Sequence, residues 1–255
     1  MAADGSASTA SAGLVPSATS QNCSSKLWRF KRQITKDEQQ AMRVTRMRKN
    51  VITSARLHVE AGRAGGFRGR WAMLTLTYRD DVKWIANQVA VLLDHLRKYA
   101  TRCDFTARYV WVLELTKRLR PHYHVLVWLP KGRSLPKPDK QGWWPHGMTK
   151  IEWAKNAVGY LAKYASKAEP ENQVAIPKGA RLSGVGGLVK HQRIELRWWK
   201  SPTWVREVFP NICDLGRVEG GGWVNRETGE FAPSRWRVVS FGGALILCEV
   251  VNAHG

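Results

Sequence analysis

The strongest constraint on this fold is a pair of apolar runs joined by a short basic turn. Arg108–Leu115 and His122–Leu129 are dense in Val, Leu, Trp and Tyr, the composition of buried strands. Thr116–Pro121 between them leaves room only for a turn, so the two runs form an antiparallel hairpin. Upstream, Trp71–Tyr78 is a third strand-like run, and Val82–Tyr99 carries apolar residues at 85, 89, 92, 93 and 96, a helical spacing. Downstream, Thr149–Ala168 reads as a second helix, with Ile151, Trp153, Ala154, Ala157, Val158 and Leu161 on its apolar side. The order β-α-β-β-α predicts an α+β fold, an antiparallel sheet flanked by helices.

The flanks are less regular. Residues 1–25 are mostly Ala, Ser, Thr and Gly and read as a disordered leader. Thr35-Lys-Asp-Glu38 fits a capping box, so a basic helix is expected from there to about Val59, followed by the basic loop Gly62–Arg70. Pro and Gly mark 130–147 as a loop, and beyond Pro170 the pattern supports a helix near Thr203–Phe209 and strands at 222–225 and 235–251. The expected organisation is a leader (1–25), a basic helical extension and loop (26–70), a core (71–170) and a C-terminal extension of mixed strands and helix (171–255).

Charge points to the partner. Lys and Arg number 41 against 20 Asp and Glu, a formal +21. The excess is uneven: residues 26–70 carry a net +10, 71–170 a net +9 and 171–255 only +3. Such a surplus favours a polyanion, because each neutralised phosphate releases condensed counterions. An acidic membrane surface is the weaker reading, since no run of about 20 apolar residues occurs; the best, Ala244–Val251, is short and holds Glu249. Arg68 and Arg70 in the loop, with Lys117, Arg118 and Arg120 in the hairpin turn, are the candidate nucleic-acid contacts, although a solvated linker explains the loop equally well. Four cysteines at 23, 103, 213 and 248 form no CxxC pair and read as reduced thiols. The N-terminus lacks a signal-peptide pattern, so a cytoplasmic location is expected, that of a bacterial host if the gene belongs to a phage.

Two constellations carry chemistry. In a strand, residues i and i+2 share a face, so His122 and His124 project together, a spacing that suits two ligands of one divalent metal. Two unrelated polar residues at a strand start have the same pattern. Glu114 on the partner strand completes a two-His, one-carboxylate set for Mg²⁺ or Mn²⁺ in one register, but a one-residue slip turns it away, and a salt bridge to Arg118 or Arg120 competes. On the following helix Tyr160 and Tyr164 stand one turn apart with Lys163 and Lys167 at the same spacing beside them. A neutral phenol is a poor nucleophile, and ammonium groups nearby favour the phenolate. Two packed aromatics among solvated lysines are the commoner meaning of that pattern alone. His95, His146, Trp198, Trp199 and Trp204 have packing roles as their first reading; His146 lining a DNA path and the tryptophans stacking bases are the alternatives.

Met73-Leu-Thr-Leu-Thr-Tyr78, Pro121-His-Tyr-His-Val125 and Gly159-Tyr-Leu-Ala-Lys-Tyr-Ala-Ser-Lys167 together resemble, in order, the three motifs of the HUH endonucleases. Within that superfamily the chain resembles the phage-type, two-tyrosine rolling-circle replication initiators. The resemblance covers about 71–168 and implies a ferredoxin- or RRM-like antiparallel sheet with the first motif's strand at its centre. It further implies a metal on His122 and His124 and a tyrosine helix lying over them; assigning the third ligand to Glu114 rests on the hairpin argument above.

The function so implied is nicking of single-stranded origin DNA through a phosphotyrosine, release of a 3′-hydroxyl primer, and later rejoining, with Tyr160 favoured for the first cut. No G-x-x-x-x-G-K-[ST] motif is present, so a helicase is expected from the host. Three rivals stay open: a single-strand HUH transposase or plasmid initiator, a non-catalytic RRM-like binder, and a histidine phosphodiesterase.

Overall fold

The computed structural model describes residues 26–65, 68–166, 176–219 and 221–252, and the expected leader at 1–25 lies outside them. The chain divides into two compact units, one built from 1–34 and 233–255, the other from 35–232.

In the first unit β1 (Lys26–Ile34), β11 (Ala244–Asn252) and β10 (Trp236–Phe241) form an antiparallel sheet in that order. Gly242 and Gly243, at φ +55° and +78°, make the two-residue turn between β10 and β11, a conformation only glycine adopts cheaply. Glu249 interrupts an apolar strand because Lys31 Nζ at 2.7 Å and Arg235 Nη2 at 2.8 Å engage its carboxylate, holding it below the usual carboxylate range.

The second unit begins with α1 (Lys36–Ala64). Thr35 Oγ1 accepts from the Glu38 amide at 3.2 Å while Glu38 Oε2 accepts from the Thr35 amide at 2.9 Å, so the capping box forms as its sequence requires. There follow β2 (Gly69–Thr77), α2 (Gln88–Arg102), β3 (Tyr109–Leu115), β4 (Pro121–Pro130), β5 (Thr149–Ala154), α3 (Ala157–Ser166) and β6 (Ser183–Gly186). Their five strands form one sheet in the order β5-β2-β4-β3-β6, every neighbour antiparallel. Counting β2 to β5 as one to four, the order is 4-1-3-2, the ferredoxin-like arrangement, with the 131–148 loop where a second crossover helix would run. The fold is therefore α+β, an antiparallel sheet flanked by helices. β4 is its central strand and β2 lies beside it. Beyond the sheet come α4 (Lys190–Lys200), α5 (Thr203–Val208) and a small sheet of β7 (Leu215–Arg217), β8 (Trp223–Asn225) and β9 (Phe231–Ala232).

The pairings assign the two faces of the main sheet. Trp71, Met73, Thr75 and Thr77 share one face with Leu126, His124 and His122, and with Val110, Val112 and Glu114. α1 covers this face: His58 packs on Trp71 with ring centroids 6.0 Å apart, and Asn50 Nδ2 donates to Ser183 Oγ at 3.1 Å. α3 packs against α1, β3 and β4. The other face carries Tyr109, Trp111 and Tyr123 and is covered by α2, whose Arg97 Nη1 donates to the Tyr109 hydroxyl at 2.9 Å. The 131–148 loop joins that layer, burying Trp144 completely and setting Trp143 against His95 and Tyr99.

Three elements depart from expectation. The stretch expected as one helix over 149–168 is β5 followed by α3. The open edge of β2 offers backbone partners to Thr149–Ala154, and Asn156 caps the helix that follows, its Oδ1 accepting from the Gly159 amide at 2.9 Å. The helix expected from Val82 starts at Gln88 instead. Gln88 Oε1 accepts from both the Ile85 amide (2.8 Å) and the Tyr78 hydroxyl (2.9 Å), and Trp84 Nε1 donates to the Tyr123 hydroxyl at 2.8 Å, which holds 79–87 in turns. Finally, α1 and β6 lie outside 71–170 yet build the main core, while Lys26–Ile34 is a strand of the other unit rather than part of a helical extension.

Candidate metal centre and tyrosine helix

The β3–β4 hairpin sets the geometry of the site. Its register pairs Glu114 with His122 and Val112 with His124, so the slip that would have turned Glu114 away does not occur. Glu114, His122 and His124 thus share one face, their nearest ligand atoms all within 4.8 Å of one another. His124 Nε2 stands 2.8 Å from Glu114 Oε2, and the two imidazole centroids are 4.8 Å apart. An imidazole nitrogen and a carboxylate oxygen at that separation repel unless a proton or a cation lies between them. Two imidazoles and a carboxylate on a rigid sheet are a donor set for a divalent cation, and His124 is only 3 % exposed. Of the two arginines that could compete for Glu114, Arg120 pairs instead with the Asp80 carboxylate and donates to the Asp80 carbonyl oxygen at 2.7 Å.

Two threonines complete the setting, and the motif reading passed over them. β2 pairs Thr75 with His124 and Thr77 with His122. Thr75 Oγ1 lies 3.3 Å from His124 Nδ1, and Thr77 Oγ1 lies 3.3 Å from His122 Nε2. A hydroxyl at hydrogen-bond distance from His124 Nδ1 helps orient the ring so that its Nε2 faces Glu114. Their signal was present in the sequence, as two polar residues at period two inside an apolar strand.

The tyrosine helix is α3. Buried Leu161 anchors it, and Tyr160, 38 % exposed, and exposed Lys163 lie away from the core. The Tyr164 side chain and all of Lys167 lie outside the described residues.

Residues 71–169 match the family model of the ORF2-type replication-associated proteins. That family is one of rolling-circle replication initiators, and over those residues the chain is similar to it. It spans β2 through α3, the segment that contributes every triad residue and Tyr160, and omits α1 and β6. No curated protein and no solved structure matches the chain.

The remaining candidates fall in separate places. Lys117, Arg118 and Arg120 occupy the turn adjoining Glu114 and His122. Arg70 is five residues along the pairing from His124, roughly 17 Å at strand spacing, and on the opposite face, its guanidinium 3.2 Å above the Trp153 ring. Arg68 is exposed just before β2. His146 packs in the loop against Tyr78 and Trp144, and Trp198 is buried with its indole donating to the Phe209 carbonyl at 2.9 Å. Trp199 is exposed and Trp204 half-buried. Cys103, Cys213 and Cys248 are free, and no described helix is long and apolar enough to cross a membrane.

Proposed function

We propose that the chain is a rolling-circle initiator nuclease, which cuts single-stranded origin DNA through a phosphotyrosine and later rejoins it. The observation that carries this reading is the register placing Glu114 opposite His122 with His124 Nε2 2.8 Å from the carboxylate. Glu114, His122 and His124 would hold Mg²⁺ or Mn²⁺, which when bound supplies positive charge to the non-bridging oxygens of the scissile phosphate. The chain's own residues do the rest. Thr75 and Thr77 hold the imidazoles in orientation. The phenol oxygen of Tyr160 bonds to phosphorus, the P–O3′ bond breaks, the phenol gives up its proton, and O3′ takes one to become the primer hydroxyl. Lys163 and Lys167 stabilise the phenolate. The strand stays joined to tyrosine through its 5′-phosphate, so rejoining by a 3′-hydroxyl needs no nucleotide hydrolysis. Tyr164, one turn on, cuts the regenerated site while Tyr160 still holds DNA. Lys117, Arg118 and Arg120 hold phosphates at the hairpin turn, Arg68 and Arg70 contact the backbone farther off, and a helicase of the bacterial cytoplasm opens the duplex.

Incubation with Mn²⁺ and single-stranded oligonucleotides tiled across the replicon that carries the gene tests this. The expected product on a denaturing gel is a protein adduct on the 3′-side fragment, lost in Tyr160→Phe/Tyr164→Phe. Binding without cleavage or adduct on any oligonucleotide would overturn the reading in favour of a non-catalytic binder.

A further inference from the structure

A cavity of about 500 Å³ opens in the second unit among α1, β6, α4 and the small sheet, and six of its lining residues are cations: Arg46, Lys49, Arg193, Arg197, Lys200 and Arg217. Among the described residues, no acidic side chain lines it. Its apolar floor comes from Val185, Leu188 and Leu196, and Trp223 lies under the Arg217 guanidinium, 5.2 Å from ring centroid to carbon. Besides Arg217 over Trp223, three of these cations have fixed partners. Arg197 pairs with Asp214, Arg193 Nη1 donates to the Leu188 carbonyl at 3.0 Å, and Lys200 Nζ donates to Asn50 Oδ1 at 3.1 Å. Lys200 is exposed as a residue, yet partial burial of its ammonium and the charge of Arg181 hold it below the ordinary lysine range. A concave surface that gathers like charges in fixed geometry stores repulsion that an anion relieves.

We propose that this cavity is a second DNA-contact site, which binds backbone phosphates of the strand away from the cleaved bond. The ligand class rests on the reading of the chain as a DNA-nicking initiator. The place does not, since Glu114, His122, His124 and Tyr160 take no part in it. Both α3 and α4 pack against α1, and α4 borders the cavity. α1 brings Arg46 and Lys49, so part of the net +10 concentrated in 26–70 converges here.

The test uses the full chain and a labelled single-stranded oligonucleotide that it nicks, with anisotropy measured from 50 to 300 mM salt. Arg46→Gln/Lys49→Gln/Arg193→Gln is compared with Lys83→Gln/Lys98→Gln/Arg102→Gln, an equal charge change around α2. The cavity variant is expected to lose about tenfold to a hundredfold in affinity and about two units of the log–log salt slope, at roughly 0.7 per single-strand phosphate. Its nicking rate at saturating DNA should stay within about twofold of the parent. Equal losses in the two variants, or no loss in either, overturn the proposal. So does micromolar competition by a deoxynucleoside triphosphate that the cavity variant abolishes, which would make this a free-nucleotide site. Should the triple variant fold poorly, Arg46→Gln alone, at an exposed position, is expected to lower the slope by about 0.7. If the parent nicks no oligonucleotide, the nuclease reading falls, while the slope difference still decides the cavity.

Discussion

His124 sits between two partners with different consequences. Glu114 Oε2 lies 2.8 Å from its Nε2, while Thr75 Oγ1 lies 3.3 Å from its Nδ1 and orients the ring. Replacing His122 or His124 by Ala is expected to lower nicking by at least about a hundredfold and leave DNA affinity within about threefold, because lysines and arginines carry the affinity. Thr75→Val should cost about tenfold to a hundredfold in the Mn²⁺ concentration needed for nicking, with little effect on the rate at saturating metal. A metal titration of the nicking rate separates the two. Elsewhere, His58 is 1 % exposed, and burial first and the Arg108 charge second lower its pKa from 6.5 to about 4. The unfolded chain therefore takes up this proton below about 6.5 and the folded chain only near 4, so the fold loses stability as pH falls through that window. Between pH 7 and 5 the loss due to this residue is about 2 kcal/mol. Chemical denaturation of the parent against His58→Gln checks it: the parent should show the steeper pH dependence.

At the scale of elements, α3 depends on a cap and β6 on missing side chains. Asn156 Oδ1 satisfies an amide that the first turn of α3 leaves without a helical partner, so Asn156→Ala should cost about 1 kcal/mol in denaturation. It should also slow nicking at saturating DNA, because the frayed turn lies beside Tyr160. On β6, a side chain at Gly184 would come within 2.4 Å of the Trp111 indole nitrogen, and one at Gly186 within 2.3 Å of the Tyr109 ring. Those glycines let both rings approach the edge strand closely. Gly184→Val should destabilise by about 1–3 kcal/mol, read as a lower denaturation midpoint.

On the scale of the whole molecule, the chain carries a formal +21, and cations gather at the hairpin turn, on α1 and around the cavity bordered by α4. Affinity for single-stranded DNA of arbitrary sequence should fall about tenfold or more between 50 and 200 mM salt, measured by anisotropy. Residues 1–25 carry almost none of this charge, so their deletion should leave nicking unchanged in a gel assay. The sheet of Lys26–Ile34 with 236–252 is a separate compact unit whose strands come from opposite ends of the chain, a pairing that no local pattern announces.

The sequence by itself determined whatever short-range physics dictates. The Thr35–Glu38 box started α1 where it stands, apolar runs gave β2, β3 and β4, and the period-two spacing put His122 and His124 on one face. Tertiary structure decided what depends on distant backbone. Thr149–Ala154 has apolar spacing that serves helix or strand, and the open edge of β2 chose strand. Register is invisible in a single strand, because a one-residue slip preserves composition while turning every side chain over. Only the pairing of β3 with β4 brought Glu114 opposite His122, and only the pairing of β2 with β4 brought Thr75 and Thr77 to the histidines. The His pair was therefore legible from local geometry, while its carboxylate and its supporting hydroxyls were fixed by hydrogen bonds between strands up to 49 residues apart.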